Sequence, residues 1–210
     1  MSDIKRHDWM VRIDDVFGSI ADSPSAAFSI AWGGVNTTSS LYDNEYRLIK
    51  DSRVVFSGRT SNRIDSAKVE DDGSFIIDTT TATNNSILLA FDVDGTQFFK
   101  KGAHSSIGYF RLTPDLAHVL WLIRGGLHVY IRITGKHRIL RTPPTFRATG
   151  INYISAEELV LIEHDTREWY RFSLSGQFLD VEKWNREAKN TKAQQGVAPY
   201  VAQGAPSGER

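Results

Sequence analysis

The 210-residue chain contains no cysteine. Disulfides, thiol nucleophiles and cysteine-ligated metals are therefore excluded, and the absence agrees with a reducing, cytoplasmic setting. It also lacks net charge. Lys and Arg number 25, as do Asp and Glu, so no global field draws the chain to nucleic acid or to a membrane. Long hydrophobic runs are missing too. The longest, residues 87–91 and 119–123, fall far short of the roughly 20 residues that cross a bilayer, and no membrane association is expected. The opening MSDIKRHDWMVRIDD is charged throughout and has no apolar core, unlike a secretory signal.

Catalytic signatures are equally scarce. There is no Gly-x-Ser-x-Gly, no phosphate loop and no dinucleotide fingerprint. The six histidines (His7, His104, His118, His128, His137 and His164) never fall at the i, i+2 or i, i+4 spacing that builds a metal site on one element. Asp92, Asp94 and Gly95 have the look of a calcium loop, but Ala90 and Lys101 stand at its first and twelfth ligand positions, so an EF-hand is excluded. They read instead as a tight hairpin turn, as do Glu70, Asp71 and Asp72 before Gly73. Glu157 and Glu158, taken as neighbours on a strand, point to opposite faces and cannot flank one glycosidic bond. No catalytic residue, no metal and no cofactor is expected; the chain reads as a non-enzyme.

What the sequence does contain is a period. Four hydrophobic hairpins, residues 46–56, 89–99, 130–140 and 170–180, turn at Ser52, Gly95, Gly135 and Gly176, which are 43, 40 and 41 positions apart. Between them lie three more strand pairs, residues 64–77, 107–122 and 150–162, turning at Gly73, Leu116 and Glu158, at spacings of 43 and 42. Two sets of turns keeping one period define a repeat of four short strands, the content of one propeller blade. The expected fold is all-β: a propeller-like array of about four four-stranded blades over residues 1–183, then a short helix and flexible tail over 184–210.

The turn-and-strand punctuation at Asp92, Asp94, Gly95, Phe98 and Phe99, followed by Leu112, Thr113, Pro114 and Asp115 and the strand Val119–Ile123, resembles that of WD-repeat-like bacterial propellers across residues 40–182. Leu116 stands where such repeats favour glycine, and no Gly-His or Trp-Asp pair marks the blades. The resemblance implies architecture and carries no activity.

At the N-terminus, residues 11–20 and 27–32 supply strands, separated by a turn at Ser23, Pro24 and Ser25. The segment 27–32 is expected to pair beside residues 168–181 and close the ring; an open array, or a homodimer, is the alternative. Trp32, Trp121 and Trp169 are expected in the core. Leu127, Val129, Ile131 and Ile133 share one face of their strand, and His128, Tyr130 and Arg132 the other.

One asymmetry bears on function. No acidic residue occurs between Asp115 and Glu157, whereas Arg124, Arg132, Lys136, Arg138, Arg141 and Arg147 all fall there, with His118, His128 and His137. This suggests a docking surface formed by Arg124, His128, Tyr130, Arg132, Lys136, Arg138 and Arg141 for a protein partner with an acidic surface. Nucleic acid bound along residues 124–147 is the alternative partner, and an enzyme site assembled at the propeller axis is the competing class.

Overall fold

The computed structural model describes residues 4–35, 44–104, 107–123, 126–143, 146–175 and 177–187. Among them the chain is all-β, with four antiparallel sheets in which hydrogen-bonded neighbours follow chain order. The first sheet comprises β1 (Ile4–His7), β2 (Met10–Ile13), β3 (Val16–Asp22), β4 (Phe28–Val35), β5 (Asn44–Lys50) and β6 (Arg53–Thr60). The second comprises β7 (Arg63–Val69), β8 (Phe75–Thr80), β9 (Ser86–Phe91) and β10 (Gln97–Ala103). The third is β11 (Tyr109–Leu112), β12 (His118–Ile123), β13 (Gly126–Ile131) and β14 (Lys136–Arg141). The fourth is β15 (Ala148–Ile154), β16 (Leu159–His164) and β17 (Trp169–Ser173). No described helix is long and apolar enough to cross a membrane.

The turns explain why the sequence folds at these places. In five of them an N–H donates to the carbonyl four residues on: Glu70 to Ser74 at 2.8 Å, Thr81 to Asn85 at 2.9 Å, Asp92 to Thr96 at 3.0 Å, His164 to Glu168 at 2.8 Å and Ser173 to Gln177 at 2.9 Å. This is a type I turn closed by a bulge, and it needs a left-handed residue at its end. Gly73, Asn84, Gly95 and Arg167 take that position, with φ of 88°, 59°, 83° and 68°. The side chains of Asp72 and Asp94 lock two of the turns by accepting the Ser74 and Thr96 amides, each at 2.9 Å. Ser52, Leu116, Gly135 and Glu158, the other turn residues picked out by the period, also have positive φ; Gly176 lies outside the described residues.

Several expectations are corrected. The first sheet has six strands and the fourth three, so the sheets are not uniformly four-stranded. Residues 11–20 divide into β2 and β3 around a turn at Asp14 (φ 53°), and β1 adds a further edge. After β17, the expected fourth strand shrinks to one bridge, Phe172 to Phe178, before residues 181–187 turn helical. The segment containing β4 does not close a ring by pairing beside residues 168–181. Both of its edges are occupied, by β3 and β5. Glu157 ends a 3-10 helix (Ser155–Glu157) and is not in a strand. Trp121 is fully buried, but Trp169 is 40% exposed, because it alternates with the buried Tyr170 and faces away from the core.

The chain divides into two compact units, residues 1–107 with 114–116, and residues 108–113 with 117–210. Within the first, Phe28, Ile30, Tyr46 and Leu48 of the first sheet pack against Ile64, Phe75, Ile77 and Phe91 of the second. Phe75 and Phe91 stack at 4.9 Å. The opposite face of the first sheet is filled by its own N-terminal hairpin, through Val11, Ile13, Ile20, Ala31 and Ile49. Such folding over requires a bend, and Gly18 and Gly33, paired across β3 and β4, allow it. A Cβ on Gly18 would lie 1.9 Å from the Trp32 carbonyl oxygen. The bend also brings the β2–β3 turn to Arg47. Its guanidinium donates to the Ile13 carbonyl at 3.0 Å, pairs with Asp14 and Asp15 at 3.1 and 3.0 Å, and meets the buried Glu45 at 2.6 Å.

Within the second unit, Leu120, Leu122, Leu127, Val129 and Leu140 pack against Ile151, Val160, Ile162, Tyr170 and Phe172. Trp184, from the helical segment, joins this core and lies 5.4 Å from the ring of Phe146.

Candidate functional site

Sheet three carries the basic segment. Alternation fixes its layout: in antiparallel pairing, partner residues share a face. Leu127 pairs with Leu140, Val129 with Arg138 and Ile131 with Lys136, on the side that contributes Leu127, Val129 and Leu140 to the core. Gly126 pairs with Arg141, His128 with Ile139 and Tyr130 with His137, on the other side. The docking residues nominated from sequence therefore divide between two faces. His128, Tyr130 and Arg141 lie on one, Lys136 and Arg138 on the other. Arg132 follows β13, half-buried, its N–H donating to the Ala117 carbonyl at 2.9 Å. Arg124 lies outside the described residues.

What unites the cations is an edge rather than a face. β14 is the outermost strand, bonded to β13 alone, and all its residues but Leu140 are exposed. None of the four strands contains Asp or Glu. Several arginines in the other sheets are neutralised by carboxylates, Arg6 by Asp22, Arg63 by Asp65 and Arg171 by Asp180, at 2.6–2.7 Å; among the described residues, Arg12 and Arg53 are not. Among the described residues, Lys136, Arg138 and Arg141 form no ion pair. Cations two residues apart on a strand sit about 7 Å apart and repel by about 0.6 kcal/mol in water. A fold tolerates that cost easily, and an approaching anion reverses it.

Sequence spacing missed a second feature of the same sheet. His128 Nδ1 lies 3.0 Å from His137 Nε2, and both rings stack with Trp121 at 5.1 Å between centroids. One imidazole must donate to the other, so the neutral pair shares a single hydrogen. The signal was present in the hairpin itself. Once the turn at Gly135 sets Ile131 opposite Lys136, His128 and His137 become diagonal neighbours. The arrangement is a stacked pair resting on a buried tryptophan. Among the described residues, no group of three or more His, Asp or Glu is placed to hold a metal ion.

Burial also perturbs Asp78, His164 and Tyr170. Asp78, on β8, is buried with Oδ1 unpartnered. Burial, with the negative charge of Asp65 nearby, pushes its carboxyl up to about 7. His164, on β16, sits among Phe146, Tyr170 and Trp184; burial lowers its pKa against the pull of Asp165 and Glu187. Tyr170 donates to the Glu187 carboxylate, and burial raises its pKa first, with that bond adding to the rise. Asp78 has Asp65 as an acidic neighbour, and His164 lies 2.9 Å from Asp165.

No family model matches the chain, and no curated protein matches it.

Proposed function

We propose that the protein is a non-enzymatic protein-binding module, of the scaffold, inhibitor or immunity kind, that acts in the cytoplasm. Its four sheets are read as the blades of a propeller-like array. In support, β7 packs on β3 and β4 inside one unit, and β15 packs on β11 and β12 inside the other, the same repeat-to-repeat contact in each.

The docking surface is the β14 edge, and the observation that carries this reading is its unneutralised charge. Lys136, Arg138 and Arg141 lie exposed on a sheet whose strands carry no carboxylate, while Arg6, Arg63 and Arg171 of the other sheets are paired with carboxylates. Ile139, 56% exposed between them, adds apolar surface that a protein partner would cover. A nucleic-acid backbone has less use for it, which favours protein over the alternative partner.

The test is binding of the native partner, isolated from the host, by wild type and by Arg138→Glu/Arg141→Glu. The reversal should weaken binding by about tenfold or more and leave the melting temperature nearly unchanged, since isolated surface charges contribute little to folding. Unchanged affinity overturns the assignment. A salt dependence as steep as that of phosphate-backbone binding, with no defined stoichiometry, would point to nucleic acid.

A further inference from the structure

We propose that the open edge of β14 receives an extended acidic segment of a protein partner as a fifth strand of its sheet. This rests on the reading of β14 as the docking surface and specifies how docking occurs.

A terminal strand presents a row of backbone N–H and C=O groups that another chain can complete. In the fourth sheet the chain closes that row itself: Phe172 bridges Phe178, Leu179 N–H donates to the Arg171 carbonyl at 2.9 Å, and Arg171 N–H donates to the Asp180 carboxylate at 2.7 Å. β14 has no such cover among the described residues. On β6, another terminal strand, Arg59 is already paired with Glu45 at 3.2 Å, which leaves Arg53 and the exposed Val55; β10 exposes no large hydrophobic side chain. Among the described residues, three cations without an ion pair on β14, Lys136, Arg138 and Arg141, coincide with an open edge and an exposed aliphatic side chain, whereas the β6 edge offers one such cation, Arg53, beside Val55.

The register specifies the occupant. In an added strand, residues opposite Lys136 and Arg138 share one face, and those opposite Ile139 and Arg141 share the other. Carboxylates fit opposite Lys136, Arg138 and Arg141, and an aliphatic residue fits opposite Ile139. The ligand is thus an extended peptide with three acidic residues at that spacing. The same basic residues could serve only to keep two β14 edges apart, and this reading differs in predicting no main-chain pairing.

The probe is a capped, fluorescein-labelled octapeptide with three glutamates at those positions and valine facing Ile139, made in both chain directions and titrated by anisotropy against the full chain. One direction should bind saturably. Methylating its alternate backbone amides on the β14 side should weaken binding at least about tenfold, lysine for glutamate should abolish it, and the amides of residues 136–141 should gain protection from hydrogen exchange. Absence of binding in both directions, or equal binding by the methylated peptide, overturns strand addition. If methylation has no effect while Arg138→Glu/Arg141→Glu still weakens the native partner, the docking surface stands and strand addition alone fails. If the native partner ignores the charge reversal, the docking surface itself fails.

Discussion

Replacing Asp78 by asparagine should stabilise the protein, and by an amount that depends on pH in a defined way. The side chain is 2% exposed, between Ser66 of β7 and Leu88 of β9, with Oδ1 unpartnered. Burial and the nearby charge of Asp65 raise its pKa from 3.8 to about 7. Well below pH 3.8 the folded and unfolded chains both hold the proton. As pH rises between the two values the unfolded chain ionises first, so stability falls by about 1.4 kcal/mol per pH unit and then levels off above about pH 7. The full loss is at most about 4 kcal/mol. Asparagine has nearly the same shape and never ionises, so it escapes this loss. Urea unfolding of both proteins at pH 4.5, 6 and 8 should give a gap in favour of Asp78→Asn that is smallest at pH 4.5, about 1 kcal/mol, and widens to its plateau by pH 8. Titration of other groups cancels in the difference. Parallel stability curves across that range would refute the burial argument.

Two other structural predictions concern the first sheet. Gly18→Ala places a methyl group 1.9 Å from a backbone oxygen that cannot move without breaking the β3–β4 ladder, and should cost about 3 kcal/mol. Gly34→Ala, where a Cβ meets nothing within 4 Å, should cost under about 1 kcal/mol; chemical denaturation of the two checks the bend. Arg47→Met strands the buried Glu45 with only Arg59 for company and should cost about 3 kcal/mol or more. Adding Glu45→Gln should recover part of that loss in a double-mutant cycle, and no recovery would mean that Arg47 acts through packing alone.

The parts of the fold legible in the sequence were those set by local geometry. A bulged type I turn demands one left-handed residue, with alternating strands on either side, and both leave marks in the residue order. Leu116 shows how far this goes: it has φ of 55° although leucine is a poor choice there, and the period alone located it. Closure was not legible. Whether the segment around β4 pairs with a distant strand depends on which edges are already occupied, and the short β2, with its turn at Asp14, gave no hint that a further hairpin would build out the first sheet. The fourth sheet likewise loses its last strand because Asp180 turns back to cap the Arg171 amide and guanidinium before the helical segment begins. At the candidate site, composition found the cations but not their arrangement. Side-chain period assigned His128 to a face, and only the cross-strand register brought His137 beside it.

The functional account is tested most directly by hydrogen–deuterium exchange of the protein with and without its native partner. The account predicts that the backbone amides of Lys136–Arg141 become strongly protected in the complex, while those of the open β10 edge exchange as before. Protection confined to another sheet, with β14 exchanging at the same rate bound and free, would contradict it.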